Sequence, residues 1–369
     1  MSKQTEGVPY LDLVSDFQSL RDDWIAAIDR LGSKAAFILG DAVTQFQQEA
    51  CDYIGCKHAL GVANGTDALV LSLRALGIGP GDEVITSPFT FFATAEAISL
   101  VGATPVFADI NEFSFNISPA SVKAVITDNT RAILPVHIFG HPANMAELRA
   151  VADAHGLKLI EDAAQAFGAK SGDGIVGSLG DTGCFSFYPA KVLGCYGDGG
   201  LVTTSDEGVY EHLQRLRNHG AVAAFTHTEI GYNSRLDAVQ AALLSIKLKK
   251  IEEDIEKRRQ VASWYDEALE ETDAMPPARP DHGRHAFNLY TIRHPRRNAL
   301  RQALGDANIG TNQCYPQGLH LQQVYHHLGY KPGDLPVTDQ LCTETLSLPI
   351  FPGMSREQVE RVCEVIRKV

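Results

Sequence analysis

From residue 56 to residue 204 the chain alternates short apolar runs with amphipathic ones, and this alternation restricts the fold more than any other feature. "CKHALGVAN" (56–64) reads as a strand, and "TDALVLSLRAL" (66–76) has the apolar spacing of a helix. "GPGDEVITS" (79–87) gives a turn and a strand, "PFTFFATAEAISLVG" a loop entering a helix, and "TPVFADI" (104–110) the next strand. "ASVKAVIT" predicts a helix, "RAILPVHIFG" a strand, and "MAELRAVADAHG" a helix closed by Gly156. "LKLIED", "CFSFYP" and "GGLVTTS" complete the strands. Such alternation predicts an α/β fold, a mostly parallel sheet sandwiched by helices. Ligands of such sheets lie beyond the carboxyl ends of the strands. Asn64-Gly65-Thr66, Phe91, Asp162 and the loop after "CFSFYP" are therefore expected to converge on one cleft.

The texture changes near residue 236. "LDAVQAALLSIKLKKIEEDIEKRRQVASWYDEALEE" contains no glycine or proline and predicts one long helix, its charge run a solvated face. "PPARPDHG" then breaks the chain, and "HAFNLYTIRH", "RRNALRQALGDAN" and "SREQVERVCEVIRKV" read as strand, helix and closing helix. The expected organisation is a large domain over 1–245 and a smaller carboxy-terminal α+β domain over 246–369, with the long helix bridging them.

Composition excludes several function classes. A net charge of −13 and the lack of any lysine/arginine block weigh against a nucleic-acid partner. No apolar run reaches membrane-spanning length, and "MSKQTEGVPYLDL" has no signal pattern. The seven cysteines form no C-x-x-C pair, which weighs against structural zinc and a disulfide framework and makes the cytoplasm the expected compartment. His137 and His141 stand four apart, but Gly140 and Pro142 oppose a helix there, so no metal site is expected.

The chemistry concentrates after strand ends. In "FSFYPAKVLGCYGDGG" (185–200), Pro189 ends an apolar run and Lys191 follows in a glycine-rich loop. Lys191 reads either as a solvated side chain or as a desolvated amine with the lowered pKa that Schiff-base chemistry needs. "NGTDAL" puts Gly65 and Thr66 at a strand-to-helix turn suited to a phosphate, although Thr66 also fits a helix N-cap. "EDAAQ" places Asp162 and Gln165 just outside a strand. A carboxylate there can pair with the pyridinium nitrogen of pyridoxal phosphate, or simply cap a helix. Phe91 can stack on a planar cofactor or belong to the core.

In combination these motifs follow a familiar order: a phosphate turn, an aromatic, D-x-x-Q after a strand, then S-x-x-x-x-K. The order resembles the fold-type I pyridoxal-phosphate enzymes, and the chain resembles the DegT/DnrJ/EryC1/StrS nucleotide-sugar aminotransferases over nearly its whole length. "YLDL", "FSFYPAKVLGCYGDGG", "GYNSRLDAVQAALL", "LHLQQVYHHLGYKPGDLP" and "LSLPIFPGMS" carry the likeness. The resemblance implies that Lys191 bonds the cofactor and shuttles a proton, Asp162 holds the ring nitrogen protonated and Gln165 bonds the phenolic oxygen. It further implies that Phe91 stacks on the ring and that Gly65, Thr66 and Ser186 hold the phosphate. Asn233 would reach the phosphate of a neighbouring subunit, making a homodimer with shared sites; on its own, Asn233 reads as a turn residue.

"PAKVLGCYGDGG" is most similar to the family's aminotransferases of UDP-2-acetamido-3-oxo-glucuronate, which serve surface polysaccharide biosynthesis with, by expectation, glutamate as donor. Those relatives carry His-Tyr-Pro where this chain has Cys314-Tyr315-Pro316. Arg235 and Tyr315, with Cys314, are the expected substrate contacts, Arg235 as grip for the uronate carboxylate. The plainer role for Arg235 is a pair with Asp237 or Asp198. The alternatives are a 3-aminotransferase of a TDP-3-keto-6-deoxyhexose and a non-catalytic cofactor-binding regulator. A nucleotide-binding oxidoreductase is disfavoured because no G-x-G-x-x-G follows the first strand.

Overall fold

The computed structural model describes residues 7–281 and 283–369; the amino-terminal stretch read for a signal begins outside them. Each of the apolar runs between 56 and 204 forms a strand: β1 (His58–Val62), β2 (Glu83–Thr86), β3 (Thr104–Phe107), β4 (Thr130–Leu134), β5 (Lys158–Asp162), β6 (Thr182–Ser186) and β7 (Gly200–Thr204). They form one sheet in the order β1-β7-β6-β5-β4-β2-β3. Only β7 runs against its neighbours, Gly183 pairing with Thr203 on one side and His58 with Thr204 on the other. Residues of β4, β6 and β7 are buried almost throughout, because helices cover both faces and the runs need not alternate.

Local chemistry sets the helix ends that matter for the site. Asn64 caps helix Gly65–Ala75 by accepting the Asp67 N–H at 2.8 Å. The cap is therefore Asn64, and Thr66 lies inside the helix. Gly156, at φ +64°, closes helix Met145–His155, as its sequence predicts.

The helix expected from residue 236 is two helices, Ala238–Leu248 and Ile251–Leu269, which break at Lys249-Lys250. Ile251 and Ile255, at the start of the second, still belong to the apolar cluster of the first, and only its later turns cover a different one. The first packs on helices Leu13–Gly32 and Asp41–Ile54, neither of which the sequence reading placed. The second contributes Val261, Ala262 and Tyr265 to a separate apolar cluster with Tyr290, Ile292, Leu346 and Val362. That cluster surrounds an antiparallel pair, β8 (Tyr290–Arg293) and β9 (Thr345–Leu348), and includes Val8 from the amino-terminal end.

The strand read through "HIFG" stops at Leu134, and Ile138–Gly140 is a 3-10 turn with Phe139 at φ +57°. His137 Nε2 lies 3.0 Å from a buried Glu161 carboxylate oxygen, and its Nδ1 accepts the Ala143 N–H at 2.9 Å. Among the described residues no group of three or more His, Cys, Asp or Glu side chains could hold a metal, and no helix is long and apolar enough to cross a membrane.

Candidate active site

The ends of β1, β5 and β6 open on a cavity of about 730 Å³. Asp162, the last residue of β5, is 4% exposed. Its carboxylate accepts from Thr94 Oγ1 at 2.8 Å and the Ala164 N–H at 3.2 Å. Burial pushes the Asp162 carboxyl up, and these hydrogen bonds and the charge of Lys191 oppose that shift. Lys191 lines the same cavity from the loop after β6, where its N–H bonds the Tyr188 carbonyl at 2.9 Å. Burial pushes its amine down, against the pull of Asp162. Of the two sequence readings, the desolvated amine is the one this environment supports.

At the start of helix Gly65–Ala75, a Cβ on Gly65 would stand 2.7 Å from Ser186 Cβ. Glycine thus lets the free N–H groups of the helix start lie directly against Ser186, an arrangement suited to a phosphate. Thr66, Ser186 and Phe91 line the cavity, and Phe91 is 63% exposed, so it is no core residue. Gln165 is buried; its Nε2 donates to Tyr315 Oη at 2.8 Å and its Oε1 accepts the Phe139 N–H at 3.0 Å. Tyr315, at φ +34°, stacks on Phe139 with ring centroids 5.8 Å apart. Cys314 Sγ lies 3.7 Å from Ser347 Oγ, and burial pushes its thiol up.

Two expected residues stay outside this cavity. Asn233 is exposed, and Arg235 Nη1 donates to Asn218 Oδ1 at 3.0 Å. The plainer role expected for Arg235, a pair with Asp237 or Asp198, is replaced by this hydrogen bond to Asn218. The turn at 218–220 folds back beside 232–234, and local pairing draws the guanidinium there.

The sequence reading missed Thr94, Tyr10, Asn288, Asn312 and Gln313, all of which line the cavity. Thr94 sits in the quoted "TFFAT", two positions before Glu96 on the helix that follows Phe91, and its link to Asp162 spans 68 residues. Asn288, inside "HAFNLY", is 4% exposed, and its Oδ1 has no partner among the described residues.

These residues fit pyridoxal phosphate. They offer N–H donors for the phosphate, a buried carboxylate for the ring nitrogen and an amine for the aldehyde carbon. The fold and this donor set define a pyridoxal-phosphate enzyme. Residues 18–367 match the DegT/DnrJ/EryC1/StrS aminotransferase family, and the chain belongs to it. It is 45% identical to the "Pleiotropic regulatory protein" of Geobacillus stearothermophilus, over 97% of each chain. It is 43% identical to a UDP-N-acetyl-3-dehydro-alpha-D-glucosamine 3-aminotransferase of Acidithiobacillus ferrooxidans, over 99% of this chain and 98% of the other. The crystal structure of S. venezuelae DesV superposes with a TM-score of 0.96 at 41% identity, covering 99% of this chain and 98% of that one. The protein is a pyridoxal-phosphate-dependent aminotransferase.

Proposed function

We propose that this enzyme transfers an amino group from glutamate to the 3-keto carbon of a nucleotide-linked hexose that is uncharged at C6. The observation that carries the reading is the cavity itself, where Lys191 and Asp162 sense each other's charge. Bound pyridoxal phosphate supplies an aldehyde carbon and an electron-withdrawing ring. Lys191 Nζ would bond the aldehyde carbon and would take and return the proton moved between cofactor and substrate carbons; the burial that lowers its pKa favours the neutral form that this role needs. The Asp162 carboxylate keeps a proton on the ring nitrogen, and Gln165, fixed by Phe139 and Tyr315, orients the ring's phenolic oxygen. Gly65, Thr66 and Ser186 would seat the phosphate, and Phe91 is the aromatic side chain that would stack on the ring.

The choice of sugar rests on charge. Lys191 is the only lysine or arginine among the cavity's described lining residues, whereas Tyr10, Asn288, Asn312 and Gln313 offer neutral hydrogen-bonding groups. The hexuronate expected from the sequence would need Arg235 delivered from a second copy of the chain. Arg235 is instead held by Asn218 of its own chain, whereas the exposed Asn233 on the same segment can reach a partner's site, and a homodimer with shared sites is part of the proposal. So are a cytoplasmic location, a role in surface polysaccharide synthesis and a division of the chain near residue 245, the last supported by the separate apolar cluster around β8 and β9.

The test is a two-step titration. Glutamate should convert the yellow holoenzyme to its amine form, and a neutral 3-keto sugar nucleotide should restore the aldehyde spectrum, with the uronate far slower. Faster recovery with the uronate, lost in Arg235→Ala, would reverse the choice of sugar. The regulator reading is favoured by the name of the Geobacillus relative. Failure of every amino acid and keto sugar to change the spectrum would bring it forward.

A further inference from the structure

Two threonines stand behind the Asp162 carboxylate on the cavity wall. Thr90 immediately precedes Phe91, and Thr94 lies in the first turn of helix Ala93–Leu100. Both line the cavity and both are buried. Thr94 Oγ1 donates to Asp162 Oδ2 at 2.8 Å and lies 3.1 Å from Thr90 Oγ1. A hydroxyl has one hydrogen to give. With that of Thr94 committed to an ionised Asp162, Thr90 is the donor in the second contact. The chain then runs one way, from Thr90 through Thr94 to the carboxylate.

The bond across to Asp162 is not the local default. A serine or threonine on a helix commonly returns its hydroxyl to the carbonyl four residues back. Thr44 does so with Gly40, and Ser99 with Ala95, each at 3.2 Å. Thr94 reaches instead to the end of β5. The other Asp162 oxygen, Oδ1, accepts the Ala164 N–H at 3.2 Å. One donor on each oxygen fixes the rotation of the carboxylate. Phe91 depends on the same segment. Its side chain is largely exposed, so packing does little to aim it, and its carbonyl accepts the Thr94 N–H at 3.2 Å.

We propose that Thr94, backed by Thr90, is a positioning residue: it sets the rotation of the Asp162 carboxylate and ties it to the turn that carries Phe91. The nitrogen and the face of the cofactor ring would thereby meet two groups held by one short segment, residues 90–94. The inference rests on the aminotransferase reading above, but the link from Thr94 to Asp162 can be tested without cofactor. The titratable groups around Asp162 are Lys191 from the loop after β6, His137 beyond β4, Cys184 on β6 and Tyr315. Thr94→Val keeps the shape and removes the donor, whereas Thr94→Ser keeps the donor.

Only an ionised Asp162 gains from the Thr94 hydrogen bond, which holds its carboxyl pKa down against burial. Without that donor the folded pKa rises further, and the added cost is present above it and fades as pH falls toward 3.8. In cofactor-free protein the melting temperature of Thr94→Val should therefore fall further below that of wild type as pH rises from about 4 to about 8. Thr94→Ser should follow wild type. In an Asp162→Asn background, the Thr94→Val difference should be the same at both pH values. In the holoenzyme Thr94→Val should slow the glutamate half-reaction by about tenfold to a hundredfold, the scale of one charged hydrogen bond, with little change in KM. Thr90→Val should show a smaller loss of the same kind, and wild-type behaviour there would remove Thr90 from the chain. A melting difference independent of pH would reduce Thr94 to packing and overturn the proposal, as would a wild-type half-reaction in Thr94→Val. If no amino acid converts the wild-type holoenzyme, the aminotransferase reading falls, and the melting curves still decide whether Thr94 holds Asp162.

Discussion

At Asp162 a carboxylate is sealed beneath Thr94 at the end of a core strand, and burial holds its pKa above the ordinary 3.8. The sign of the stability effect follows from linkage. A carboxyl with a raised folded pKa costs stability while ionised, fully above that pKa, and the cost fades as pH falls toward 3.8. Cofactor-free Asp162→Asn should therefore melt higher than cofactor-free wild type at about pH 7, with the two converging near about pH 4. The same substitution should slow the glutamate half-reaction by about 10²–10⁴-fold, since the ring nitrogen loses the charge that keeps it protonated. Melting curves at both pH values and stopped-flow spectra check the two halves. An unchanged rate would remove Asp162 from the chemistry even if the melting prediction held.

The end of β5 shows what one element does for its neighbours. Glu161 points away from Asp162, is fully buried, and accepts from His137 Nε2 and from the N–H groups of Gly177, Leu179 and Gly180 at 2.6–2.8 Å. It pins the turn that feeds β6, and β6 delivers Ser186 and Lys191. Glu161→Ala strands these donors in the interior and should cost roughly 3–5 kcal/mol, with Glu161→Gln recovering part of it. Denaturant melts read the difference, and equal midpoints for Ala and wild type would refute it. Strands such as "LKLIED" were legible because runs buried on both faces are continuous and apolar. The candidate pair Lys191 and Asp162 was legible because it lies at or just past the ends of such runs. Glu161 was read only as part of the strand "LKLIED", since its partners return from residues elsewhere along the chain. Arg258 was hidden inside a charge run for the same reason: the carbonyls that bury it come from 287 and 350. The break at Lys249-Lys250 has no glycine or proline to announce it. Arg235 was placed by analogy with its neighbour Asn233, and the local fold gave it Asn218 instead.

For the whole molecule, the shared-site proposal makes a prediction about mixed assemblies. Lys191→Ala and Asn233→Ala chains, each nearly inactive alone, should regain up to about a quarter of wild-type activity when their subunits exchange. Random pairing puts half the chains into mixed dimers, each with one intact site. Exchange confirmed by tagged subunits, with no recovery, would show each site to be self-contained. The reversed strand β7 has a consequence for how such a molecule is made. Among the described residues the edge strand β1 has no other neighbour in the sheet, and His58 waits for Thr204. The first of these leaves the ribosome long before the second, so the edge closes late in synthesis. Gly65 follows β1 directly and Lys191 shortly precedes β7, so both halves of the cofactor seat meet only when that pair zips. Cofactor capture thus marks the finished sheet, and by mass action it protects the closed form rather than any precursor.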